Sequence, residues 1–150
     1  MSRWDPYAYA GERFPDWIIR FTSLHGIPEL MCWRRRVVLI DPDHNAEHSG
    51  KYGRRSCMAH ALGHLELMHQ GSVLDGKEEV AANKWAAGML IDLERLAVAA
   101  EWHGWQVGED LAAELHVDLD TLITRVGMAS RHPAEAGYLA ARRARLEHVA

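Results

Sequence analysis

The chain has 150 residues, 48% hydrophobic and 25% charged, which suits one domain with a real core and excludes a chain disordered throughout. Its 17 Lys and Arg against 21 Asp and Glu leave a formal net charge of −4, an argument against a large basic nucleic-acid face. No apolar run reaches the roughly 18 residues of a membrane span. The first residues have neither the cationic start nor the apolar stretch of a signal peptide. The only two cysteines, Cys32 and Cys57, exclude a disulfide scaffold, so a reducing, cytoplasmic setting is expected. Histidine is the anomaly, with ten copies of the commonest metal-ligating side chain.

Residues 1–13 read as a loose arm and 14–150 as one domain. In 14–24, Phe14, Trp17, Ile18 and Phe21 fall at helical spacing, with Pro15 allowed in a first turn. Residues 31–40 are rich in β-branched side chains around the Arg34-Arg35-Arg36 break and predict a hairpin or short strands ending at Asp41-Pro42. Residues 43–53 read as a polar loop. Residues 55–69 carry Met58, Ala61, Leu62, Leu65 and Met68 at a helical period, with Gly71 as the stop. Further helices are expected over 77–90, 93–103 with Asp92 as cap, 109–115, 118–128 and 134–149. The fold class is therefore α+β, mostly a helical bundle with one small twisted sheet.

The helix expected over 55–69 carries His60, His64 and His69. Residues four apart share a helix face, so His60 and His64 can offer two imidazoles to one ion. His69 lies about 180° round from His60 at 100° per residue and cannot join the pair unless the helix ends first. The surrounding residues are apolar, and two buried imidazoles need partners, which a metal would supply. Catalytic zinc takes three protein ligands and a water. The next helix offers Glu78 and Glu79, and spacing alone does not choose between them.

The stretch MAHALGHLELMH followed by KEEVAANKWAAGML resembles the ImmA/IrrE family of zinc metallopeptidases. Members carry an HExxH helix and then a helix of the form E-x-x-A-N-x-F-A-A-x-L-L. The resemblance extends over about residues 14–130. It implies a zincin-like domain with Zn2+ held by His60, His64 and Glu79, and Asn83 one turn further on, bracing a ligand. It also implies a cytoplasmic enzyme that cuts a protein or peptide substrate, a transcriptional regulator encoded beside it, often in a phage or mobile element. An extended peptide would lie along a sheet edge beside the site.

Three positions depart from the family pattern. The family has glutamate directly after the first motif histidine, where this chain has Ala61. That glutamate is the general base that takes the proton of the metal-bound water, and a methyl group cannot replace it. Losing such a base costs on the order of 10²–10⁴ in rate. Glu66 lies about 140° away round the helix and does not substitute. His69 stands one residue later than the family's trailing histidine, and Asp92 stands near a usual proline. Ala61 fits either a natural pseudo-peptidase or a deliberate Glu→Ala change in a sequence that read HELGH. The intact remainder of the site favours the second. The chain as written is expected to bind metal without hydrolysing peptides. The alternative function is a non-catalytic metal-containing binding module of an immunity or toxin–antitoxin pair.

Other features predict less. Residues 111–129 have the spacing of a helix-turn-helix, but Arg125 is the sole basic residue on the second helix, so direct DNA binding is not expected. Cys57 reads as a structural thiol. Trp17, Trp33 and Trp85 read as core, and Trp102 with Trp105 as a partner surface. Arg142, Arg143 and Arg145 read as solvated charge. His69 and His103 are candidate groove residues.

Overall fold

The computed structural model describes residues 3–44, 52–70 and 76–149. Its elements are α1 (Pro6–Arg13), β1 (Ile18–Phe21), β2 (Glu29–Cys32), β3 (Val37–Ile40), α2 (Gly53–Glu66), α3 (Gly76–Leu90), α4 (Leu93–Trp102), α5 (Glu109–Glu114), α6 (Leu119–Arg131) and α7 (Pro133–Val149). The fold is α+β, as expected, with seven helices and one mixed three-stranded sheet among the described residues.

Residues 6–13 are a helix, not a loose arm. The Asp5 carboxylate accepts the Tyr7 N–H at 2.8 Å and Pro6 opens the first turn, a favourable N-terminus. Pro6 and Ala10 are buried, and the Tyr9 hydroxyl and Arg13 Nε both reach Glu66 on α2, the latter at 3.0 Å. Nor do residues 14–24 form a helix. Their centre is β1, whose apolar side chains fit a period of two as well as a helical one. Available partners decide: Ile18 N–H donates to the Arg36 carbonyl at 2.9 Å, and Ile19 and Phe21 pack into the core. The expected 43–53 loop and the Gly71 stop lie mostly outside the described residues.

The strand order is β1-β3-β2, with β1 parallel and β2 antiparallel to β3. The central strand VVLI is the apolar one, as a strand flanked on both sides should be. Across it the register aligns Ile19, Val38 and Met31 in one row and Phe21, Ile40 and Glu29 in the next. Alternation puts all six on the same sheet face. Five of them join the apolar core against α2. The sixth is an acid.

Helix α2 separates two cores. Met58, Ala61, Leu62 and Leu65 pack toward the sheet with Val38 and Ile40, whereas Ala59 faces a second core of Leu90, Leu96, Leu111 and Leu122. The crossing of α2 with α3 is very close. A Cβ at Gly63 would stand 2.9 Å from the Ala82 carbonyl oxygen, so only glycine lets the helices approach this far. That approach brings the first turn of α3 up to the imidazoles of α2.

The C-terminal helices close by local chemistry. Asp92 and Asp118 cap α4 and α6, accepting the N–H groups of Arg95 and Thr121 at 2.9 and 2.8 Å. Arg125 on α6 is 5% exposed. It donates to the Ile91 carbonyl at 2.7 Å and pairs with Glu135 on α7 at 3.0 Å, so its charge is spent inside the fold. Arg142 is likewise not simply solvated, because it forms a bidentate pair with Glu101 at 2.7 and 2.8 Å. No helix among the described residues is long and apolar enough to cross a membrane.

Candidate metal centre

His60 and His64 project from one face of α2, as their spacing requires, with Nε2 atoms 3.0 Å apart. Glu79, on the first turn of α3, places one carboxylate oxygen 3.1 Å from His60 Nε2 and the other 2.9 Å from His64 Nε2. Glu79, not Glu78, is thus the acid on this face. Asn83 lies one turn further along α3, and its hydrogen bonding favours the charged form of His60. His60 Nδ1 is itself buried without a hydrogen-bond partner, and the buried Glu79 Oε1 has only the ion-pair contact with His64 Nε2.

The sequence pattern does not predict the fourth group. Glu29, at the start of β2, brings Oε1 to 3.2 Å from His64 Nε2 and 4.0 Å from His60 Nε2. Its side chain is only 10% exposed. Glu29, His60, His64 and Glu79 each offer one ligand atom, and these atoms all lie within 4.8 Å of one another. A sequence signal exists all the same: extending the 31–40 strand back by two residues puts Glu29 on the inward face with Met31 and Val38, where an acid is out of place.

His69 also reaches the site, because the helix ends early. The chain leaves the α-helix after Glu66, and Met68 adopts φ 56°. This reversal turns His69 back so that its Nδ1 lies 2.8 Å from His64 Nδ1. Trp33, just beyond β2, holds the turn by donating its indole N–H to the His69 carbonyl at 2.9 Å. His103 ends α4 and is outside the cluster.

The electrostatics reflect burial and pairing. Hydrogen bonds from His60 and His64, together with their charge, hold Glu79 far below the ordinary glutamate range despite partial burial. Burial pushes Glu29 upward, and the neighbouring Glu79 charge adds to that, against the pull of the two histidines. Burial alone would lower His60, but the bond to Glu79 and the charges of Glu29 and Glu79 raise it overall. Burial lifts the Cys57 thiol to about 11, which keeps it protonated and unreactive at neutral pH.

Position 61 is fully buried. The Ala61 methyl has no exposed surface and packs among Val38, Ile40 and Leu65. Glu66 is committed to Tyr9 and Arg13 on the far side of α2. A cleft of about 250 Å³ opens beside the cluster, lined by Glu29, Ile40, His60, Asn83, Thr121 and Thr124, among others. Helix α6 therefore forms a wall of the cleft. Of the tryptophans, Trp17 and Trp33 stack edge-on at 5.1 Å in the core, and Trp85 packs there too. Trp102 is 83% exposed, whereas Trp105 packs partly against the second core, so the two do not form one surface.

No family profile, curated protein or solved structure matches this chain.

Proposed function

We propose that this chain has the frame of a cytoplasmic zinc metallopeptidase of the ImmA/IrrE type, with a metal bound by His60, His64 and Glu79 and hydrolysis disabled by Ala61. One observation carries the metal reading. Two imidazole Nε2 atoms and a carboxylate from two helices converge within 3.1 Å, beside a buried His60 Nδ1 that lacks a hydrogen-bond partner. Two histidines and carboxylates are a common zinc donor set. When bound, zinc would polarise a scissile carbonyl and bring the pKa of its water toward ~7.

The chain's own residues set the outcome. His64 Nδ1 against His69 Nδ1 fixes that ring, leaving Nε2 for the metal, and Asn83 is placed to brace His60. The Ala61 methyl accepts no proton, Glu66 is turned away, and the Cys57 thiol stays protonated. A peptide seated along the cleft would be held without being cut. By resemblance that peptide belongs to a transcriptional regulator. Full burial of position 61 also favours a second reading, a non-catalytic metal-containing module that holds its partner in an immunity or toxin–antitoxin pair.

The experiment is to purify the chain and Ala61→Glu, measure their zinc by mass spectrometry, and incubate each with transcriptional regulators encoded in the flanking genes. One zinc per chain is expected in both, with cleavage by Ala61→Glu alone. Binding without cleavage by either protein selects the module. Absence of stoichiometric zinc from the unaltered chain overturns the metal reading.

A further inference from the structure

Glu29 offers a fourth ligand atom beside His60, His64 and Glu79. A tetrahedral zinc ion with bonds of about 2.0–2.1 Å has ligand atoms about 3.3–3.4 Å apart. The contacts among His60 Nε2, His64 Nε2 and the Glu79 oxygens run from 2.9 to 3.1 Å. Glu29 Oε1 adds contacts of 3.2 and 4.0 Å to the two histidines. One ligand atom from each of the four residues thus lies within 4.8 Å of the other three, close enough to close on one ion.

Hydrogen bonding leaves part of this arrangement unsatisfied. His64 Nε2 faces three polar atoms at 2.9–3.2 Å: His60 Nε2, Glu79 Oε1 and Glu29 Oε1. A ring nitrogen carries at most one proton, so no tautomer satisfies all three. Two carboxylates also converge here, neither with a Lys or Arg partner among the described residues. Two neutral imidazoles and two carboxylates sum to a charge of −2, the complement of one divalent cation. The strand bearing Glu29 is fixed in place: Asp41 N–H donates to the Pro28 carbonyl at 2.9 Å, and Glu29 pairs with Ile40 across the sheet.

We propose that Glu29 is the fourth protein ligand, so that the bound ion is held in a closed His2Glu2 set with no water-bearing position. This rests on the metal site proposed above and deepens it. The edge strand along which a peptide would dock itself plugs the reactive position, so cleavage by Ala61→Glu requires the docking peptide to draw Glu29 off the ion. Substrate activation would require Glu29 to leave the ion.

Cobalt(II) is the probe, bound to the intact chain and to Glu29→Ala. In the unaltered protein, Co2+ should give the intense visible absorption of a four-coordinate ion and stay unchanged on addition of azide. In Glu29→Ala, Co2+ affinity should fall at least tenfold, and azide should now shift the spectrum by taking the vacated position. An azide response in the unaltered chain would overturn the proposal while leaving the three-ligand site standing. Unchanged affinity in Glu29→Ala would do the same. Failure of the unaltered chain to bind Co2+ or Zn2+ at all would remove both. If Glu29→Ala does not fold, the azide titration of the unaltered chain still decides.

Discussion

Two buried polar clusters in this molecule are built on opposite principles. On the C-terminal side, Arg125 meets the Ile91 carbonyl and Glu135, so every charge and donor finds its complement within the chain. Beside the sheet, Glu29 and Glu79 converge on two imidazoles, and the buried His60 Nδ1 is left without a hydrogen-bond partner. The first cluster is complete as folded and joins α6 to α7. The second is a donor set that could hold a cation. Burial of polar groups is costly unless compensated, so a residual charge of one sign in a partly buried cluster points to a ligand.

Removing one member of each cluster separates these roles. His60→Ala should lower zinc affinity by more than the about 100-fold that changes outside a ligand set cost, as read by competition with a chromophoric chelator. The metal-free fold should change little by comparison. Arg125→Met should do the reverse, leaving zinc affinity unaltered while costing about 2–3 kcal/mol in urea unfolding, since it strands the Ile91 carbonyl and the Glu135 carboxylate. If Arg125→Met alters metal content as much as His60→Ala does, the clusters are not independent.

His69→Ala probes the edge of the metal cluster. It removes the partner of His64 Nδ1 and should weaken zinc binding about 10–100-fold without abolishing it. The smallest effect is expected outside both clusters, at Asp41. Its carboxylate is held below the ordinary aspartate range because the Leu24 and Asp43 N–H groups donate to it at 2.9 and 3.0 Å. A depressed carboxylate stabilises the fold above the ordinary range and loses that contribution as pH falls through its lowered value. Asp41→Asn should therefore flatten the decline of stability below about pH 4, measured by thermal melts across the acid range.

The legible parts of the site are those set by one period. His60 and His64 lie four apart and share a face without any tertiary knowledge, whereas Glu79 over Glu78, with Asn83 one turn further on, is what the family resemblance implies. Glu29 is harder, because its role depends on where a short strand begins. A β2 begun two residues late leaves the acid in a loop. His69 is excluded for as long as α2 runs through it and enters once the helix stops at Glu66. At the N-terminus, Phe14, Trp17, Ile18 and Phe21 match a helical stripe, and only the Arg36 and Ile40 backbone partners settle the segment as a strand. Short apolar runs carry both periods, and tertiary pairing chooses between them. Arg142 reads as solvated because its partner, Glu101, lies 41 positions earlier in the chain.

The bond from Trp33 to the His69 carbonyl has an optical consequence. The indole sits two steps from the ion-binding nitrogens: its N–H grips the backbone of the residue whose ring leans on His64. A fluorophore so placed reports on occupancy. Loading the cluster with a quenching ion such as Co2+ or Cu2+ should dim its emission, whereas Zn2+ should shift it through the altered set of the His69 turn. Trp33→Phe would silence that part of the signal and leave the remaining five tryptophans as background. The protein thus carries a built-in dye for titrating any metal added to this cluster.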